Sequence, residues 1–173
     1  MMYSDKYKYV YISPSKTGSS SIQYFLKNYY DGHLYGSIHG NEIPNKFKDY
    51  FIFVSMRNIY ERAISLWVDF GKLNLSFKEF MIDLIFKNQF SIPPNLEELR
   101  SLNSYFQNLN RQGRKYVTVR LESIKHDMEY LPFVDRKFEI HLGRTKNRLD
   151  CICAKDERKL VVEYEGGLEC QLM

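Results

Sequence analysis

Two clusters of small and basic residues carry the chemistry open to this chain. Ser15-Lys16-Thr17-Gly18-Ser19-Ser20-Ser21 sets one ammonium, several hydroxyls and a glycine in seven consecutive positions. At the start of a helix, such a run supplies what a group of anionic oxygens needs: backbone N–H donors, the positive end of the helix, hydroxyls and a cation. Gly18 permits close backbone approach. The order is not that of an ATPase phosphate loop, because G-x-x-x-x-G-K-[ST] is absent and Lys16 precedes the glycine. ATP or GTP hydrolysis is disfavoured accordingly. A serine-rich helix cap with an exposed lysine is the plainer alternative. The second cluster runs from Arg57 to Trp67, with Arg57 directly after an apolar run and Arg62 and Ser65 three apart on the helix that follows. It could bring a guanidinium and a hydroxyl to a second phosphate while Ile64 and Trp67 pack inward. Its alternative is a capped amphipathic helix with Glu61 and Arg62 on a solvated face.

The elements that must position these clusters are legible from periodicity. Tyr7 to Ile12 is β-branched and aromatic and stops at Ser13-Pro14, as a buried strand does. Ile22, Phe25, Leu26 and Tyr29 then mark an amphipathic helix with the serines at its start. Asp31 to Asn45, rich in glycine and holding His33 and His39, reads as an irregular connection. Tyr50 to Val54 is a second buried strand. Asn58 followed by Glu61 opens a helix that Gly71 closes, and Ser76 with Glu79 opens another that ends near Phe86. Asn95 to Leu109 is a third helix in this stretch, Lys115 to Leu121 a strand and Ser123 to Tyr130 a short helix. Phe138 to Leu142 is a further candidate strand, and Lys155 to Glu165 a last helix ending at Gly166-Gly167. Strands separated by helices predict an α/β domain with a mainly parallel sheet. No repeat or linker divides the chain, so residues 1–173 are expected to form a single domain.

Composition limits the function classes. With 44% hydrophobic and 27% charged residues in 173 positions, the chain is a globular domain rather than a disordered segment. Its 25 Lys+Arg against 21 Asp+Glu leave a net charge of +4, which suits a small anionic ligand and falls short of a nucleic-acid-coating surface. Cys151, Cys153 and Cys170 offer no disulfide framework and no second close pair for zinc, so free thiols in a reducing cytosol are expected. The first residues lack the apolar stretch of a signal peptide, and no apolar run approaches membrane-spanning length. No membrane partner and a cytoplasmic setting, bacterial, phage or otherwise intracellular, are the expectation.

Taken together, the two clusters resemble motifs of one family. Lys16-Thr17-Gly18-Ser19-Ser20-Ser21-Ile22 is similar to the 5′-phosphosulfate loop of sulfotransferases that use 3′-phosphoadenosine 5′-phosphosulfate (PAPS). Arg57 through Trp67 resembles their 3′-phosphate motif, R-[DN]-P-x-x-R-x-x-S-x-[YW], and the order along the chain is the same. The likeness is nearest to the carbohydrate-type branch, where a histidine-bearing connection, an aromatic strand and the arginine motif follow one another as Ile38-His39, Tyr50 to Val54 and Arg57 do here. Weaker echoes lie at Phe77 to Phe80, Arg120-Leu121-Glu122, Lys146-Asn147-Arg148 and Tyr164 to Glu169. Ser15 stands where the family usually has proline, as does Ile59, and neither change removes a ligand-contacting group.

The resemblance implies a three-layer α/β/α domain of the P-loop NTPase-like sulfotransferase fold. It implies PAPS as donor, 3′-phosphoadenosine 5′-phosphate (PAP) as product, no metal, and a carbohydrate or small-molecule hydroxyl as acceptor. Lys16 then serves the bridging and 5′-phosphate oxygens, with Thr17, Gly18, Ser19, Ser20 and Ser21 as the cradle. Arg57 and Ser65 hold the 3′-phosphate, and Lys146 and Arg148 belong to a loop that closes over it, unless Arg144, Lys146 and Arg148 are simply a solvated charge run. His39 matches the base position of the carbohydrate-type enzymes, with His33 and then Glu42 in reserve, while His126 and His141 read as structural. Two further readings stay open: a nucleotide-binding module without catalysis, and a P-loop-like kinase. The kinase is disfavoured because Arg57 stands where an acidic magnesium ligand is needed.

Overall fold

The computed structural model describes residues 1–71, 75–86, 100–139, 160, 161 and 163. The chain divides into two compact units, one of Met1–Arg57 with Tyr105–Arg144, the other of Asn58–Ser104 with Thr145–Met173.

The first unit is built on a five-stranded sheet of β1 (Met2–Ser4), β2 (Tyr9–Ile12), β3 (His33–Leu34), β4 (Phe51–Met56) and β5 (Val117–Arg120), in the order β3-β1-β2-β4-β5. Its helices are α1 (Ser19–Tyr29), the C-terminal part of α4 (Leu102–Arg111) and α5 (Ile124–Glu129). The expected α/β class holds, but the sheet is mixed and not mainly parallel. β2, β4 and β5 run parallel, whereas β1 is antiparallel to both β2 and β3. The cause is the length of the connections. Residues 5–8 make too short a turn for the crossover that a parallel pair requires, so Met2–Ser4 folds back as a hairpin arm. That arm went unread in the sequence because its turn lacks glycine or asparagine. Lys8 takes the left-handed conformation instead, at φ 53°.

Register explains the core. Tyr9 lies opposite Phe51, Tyr11 opposite Phe53, and Ser55 opposite Val119, so these side chains share one face of the sheet. That face carries the core cluster, with Ile22, Phe25 and Leu26 from α1 and Ile124 and Met128 from α5. The helix periodicity read from Ile22 to Leu26 is therefore the buried stripe, while Tyr29 at its edge is exposed. Phe133 stacks on Tyr9 at 4.5 Å between ring centroids and extends the aromatic layer.

The remaining boundaries differ in detail. The second expected strand runs on to Met56, two residues beyond Val54, and α4 starts at Leu102, with residues 95–99 of the expected helix outside the described residues. Of the candidate strand at Phe138 to Leu142, Phe138 and Glu139 are described and are not in a strand; the rest lies outside the described residues. So does most of the last expected helix, of which Leu160, Val161 and Glu163 are helical.

In the second unit, α2 (Ile59–Leu66) passes into a wide π-type turn at Trp67–Gly71, and α3 spans Phe77–Phe86. Both start as their sequences predict. Asn58 Oδ1 accepts from the backbone N–H groups of Tyr60 and Glu61. Ser76 and Glu79 bond each other reciprocally, a capping box. Among the described residues no helix is long and apolar enough to cross a membrane.

Candidate functional site

Because β2 and β4 are parallel neighbours with Ile12 opposite Val54, the chain leaves both strands at the same end of the sheet. That end is where open α/β sheets take ligands. The segment leaving β2 is Ser13–Gly18, and the residue leaving β4 is Arg57. The Arg57 Nη1 donates to the Lys16 carbonyl at 3.4 Å, joining the two exits.

The loop has two left-handed residues. Lys16 has φ 63° and Gly18 φ 80°, with no positive φ at Thr17 between them; an alternation of left- and right-handed residues is the backbone pattern of anion-binding nests. At Gly18 a Cβ would lie 2.5 Å from Leu121 Cδ1, so both the space and the conformation ask for glycine. Gly18 is also the N-cap of α1 and brings no side chain of its own to this helix end. The N–H groups of the first turn have no intrahelical acceptor and present the positive end of an eleven-residue helix.

The hydroxyls of the loop divide into two sets. Ser20 is exposed, and Ser19 and Ser21 are buried. Thr17 is fully buried, and its Oγ1 donates to the Pro14 carbonyl at 2.7 Å and contacts Ser55 Oγ at 2.6 Å. Its hydroxyl faces the interior, so what Thr17 has left to offer an anion is its backbone. Ser55 Oγ in turn meets the Tyr11 hydroxyl at 2.7 Å. Burial pushes the Tyr11 phenol far above its ordinary pKa. Ser55 lies one residue past the expected strand end at Val54, inside β4; a hydroxyl directly after an apolar run is the signal the sequence offers for it.

His39 joins the same site. Its Nδ1 lies 2.6 Å from the Ser13 carbonyl, an atom that can only accept, so Nδ1 carries the proton. A ring that carries only this proton presents Nε2 as its acceptor. α4 holds the backbone around it: the Tyr105 hydroxyl donates to the His39 carbonyl at 3.1 Å, and Asn108 Nδ2 donates to the Asn41 carbonyl at 2.8 Å. Gln112 accepts from the Ile43 N–H and donates to the Asn41 carbonyl. His33 lies on the exposed strand β3 against Asp31 at 3.0 Å, and Glu42 is exposed.

The first unit therefore brings together Lys16, Thr17, Gly18, Ser19, Ser20, Ser21, Arg57 and His39. Ser65 is half-buried on α2 in the second unit. Arg62, expected near the ligand or in solvent, is fully buried in that unit and donates to the Arg100 carbonyl at 2.7 Å. His126 is exposed beside Asp127 and Tyr130. Lys146, Arg148, Arg144, His141 and the three cysteines lie outside the described residues. Among the described residues no cluster of His, Cys, Asp and Glu could hold a metal ion. In comparisons with protein-family models, curated proteins and solved structures, the chain matches none.

Proposed function

We propose that this chain is a sulfotransferase of the P-loop-like, three-layer α/β/α kind, moving a sulfuryl group from PAPS to a hydroxyl of a carbohydrate or small-molecule acceptor in the cytoplasm. One observation carries the reading. Arg57 and His39, far from the loop in sequence, both bond to its backbone: Arg57 to the carbonyl of Lys16, His39 to that of Ser13. A cation, a base and a nest of N–H groups thus converge on one loop, as in-line group transfer requires.

When bound, the donor supplies a sulfuryl group whose bond to the 5′-phosphate is the one to break. The loop N–H groups and the start of α1 bind the 5′-phosphate, and Lys16 neutralises the charge that grows on it. His39 Nε2 takes the proton of the acceptor hydroxyl as its oxygen bonds to sulfur. PAP leaves with the electron pair of the broken bond. Arg57 answers the 3′-phosphate that separates this donor from ATP. For Ser65, Lys146 and Arg148 a role at the 3′-phosphate rests on the motif likeness alone.

Calorimetry with PAP, and separately with ATP plus magnesium, tests the donor. Tight, magnesium-independent PAP binding that weakens about tenfold or more in Arg57→Ala is expected. Preference for ATP, or no nucleotide binding, would sink the proposal.

A further inference from the structure

Beneath the loop lies a row of buried hydroxyls that nucleotide contact does not account for. Tyr11, Ser13, Thr17 and Ser55 are all fully buried. Their proton order follows from the acceptor at one end. Thr17 Oγ1 donates to the Pro14 carbonyl, and a hydroxyl has a single proton, so Ser55 is the donor in the Ser55–Thr17 contact. Ser55 being spent, the Tyr11 phenol donates to Ser55. Ser13, also buried beside this row, accepts from Gln23 Nε2 at 2.8 Å. The chain runs one way, from Tyr11 through Ser55 and Thr17 to the backbone of Pro14.

Apolar residues of similar volume would fill this layer without the desolvation penalty of buried hydroxyls. What the hydroxyls add is direction. They pin Thr17, which stands between the two left-handed residues Lys16 and Gly18, and so hold the backbone alternation from below. We infer that Ser55 is a positioning residue for the donor's 5′-phosphate: it touches no ligand, but through Thr17 it sets the turn whose N–H groups do. This rests on the donor reading above.

The test is calorimetry of PAP and of adenosine 3′-phosphate, which lacks the 5′-phosphate, on wild type, Ser55→Ala and Tyr11→Phe, with melting temperatures alongside. Ser55→Ala is expected to lose about tenfold in PAP affinity, the worth of about one hydrogen bond, with adenosine 3′-phosphate changed by less than about twofold. Tyr11→Phe leaves the Ser55–Thr17 bond in place and should show the same selective pattern at about threefold. Equal losses for both nucleotides, or an unchanged PAP affinity in a folded Ser55→Ala, overturn the inference. If Ser55→Ala does not fold, unchanged PAP binding by Tyr11→Phe overturns it instead. Wild type binding PAP while the variants match it leaves the donor reading standing; wild type binding neither nucleotide removes both.

Discussion

His39 owes its proposed role to a carbonyl. With Nδ1–H committed to Ser13, the ring cannot offer the other tautomer without breaking a 2.6 Å bond. His39→Asn keeps a donor for that carbonyl and removes the basic nitrogen. The proposed mechanism therefore expects transfer to an acceptor found by screening to fall by about 10²–10⁴-fold, with PAP affinity held within about twofold. Single-turnover assays beside calorimetry measure the two effects separately. Parallel loss of both would make His39 part of the donor pocket and not the base. Lys16 and Arg57 stand out as candidates from residue type and neighbours, whereas the inward turn of Thr17 and the burial of Arg62 do not show in the sequence. Those depend on which atoms lie beyond the chain's own neighbours.

At the scale of elements, the loop and the helix starts carry separate predictions. Gly18→Ala must take φ 80° with a Cβ and displace the Leu121 side chain, so a destabilisation of about 1–2 kcal/mol is expected in urea unfolding, with weaker PAP binding. Asn58→Ala strips two capping bonds from α2 and should cost about 1 kcal/mol in the same measurement. The strand–helix corner at β5 and α5 is held by Asp127, which accepts from the Arg120 backbone at 2.9 Å and from its Nε at 3.1 Å. Burial pushes this carboxyl up, but the Arg120 bonds outweigh it and bring the pKa down to about 2. A carboxyl that titrates below its ordinary value of about 4 stabilises the fold fully above that value and loses the contribution as pH falls toward about 2. Asp127→Asn should thus lower the urea midpoint at neutral pH, and its gap to wild type should close between about pH 4 and about pH 2. A gap independent of pH would show the corner is held by packing instead.

For the whole molecule, a net charge of +4 gathers significance only where cations converge. Lys16 and Arg57 are half-buried at one loop, and PAP is polyanionic, so its affinity should fall several-fold as ionic strength rises from about 0.02 M to about 0.3 M. Insensitivity to salt would mean that hydrogen bonding, not charge, dominates recognition. The class of fold was readable because buried parallel strands such as Tyr9–Ile12 and Phe51–Met56 are unbroken apolar or aromatic runs with helix-period segments between them. The mixed character of the sheet was not, because a three-residue strand has too few positions to display a period.

Local chemistry is what the amino-acid order determined by itself. The caps at Asn58 and Ser76, the apolar stripe of α1 and the glycine at the turn into it act over a few residues, where propensity and hydrogen bonding decide alone. Tertiary structure decided which groups meet. The pairing of Ile12 with Val54 brought Arg57 to Lys16, burial turned Thr17 toward Ser55, and α4 fixed the backbone of His39. Each contact spans dozens of residues, and its partner is chosen by strand register and core packing, which no window of sequence contains.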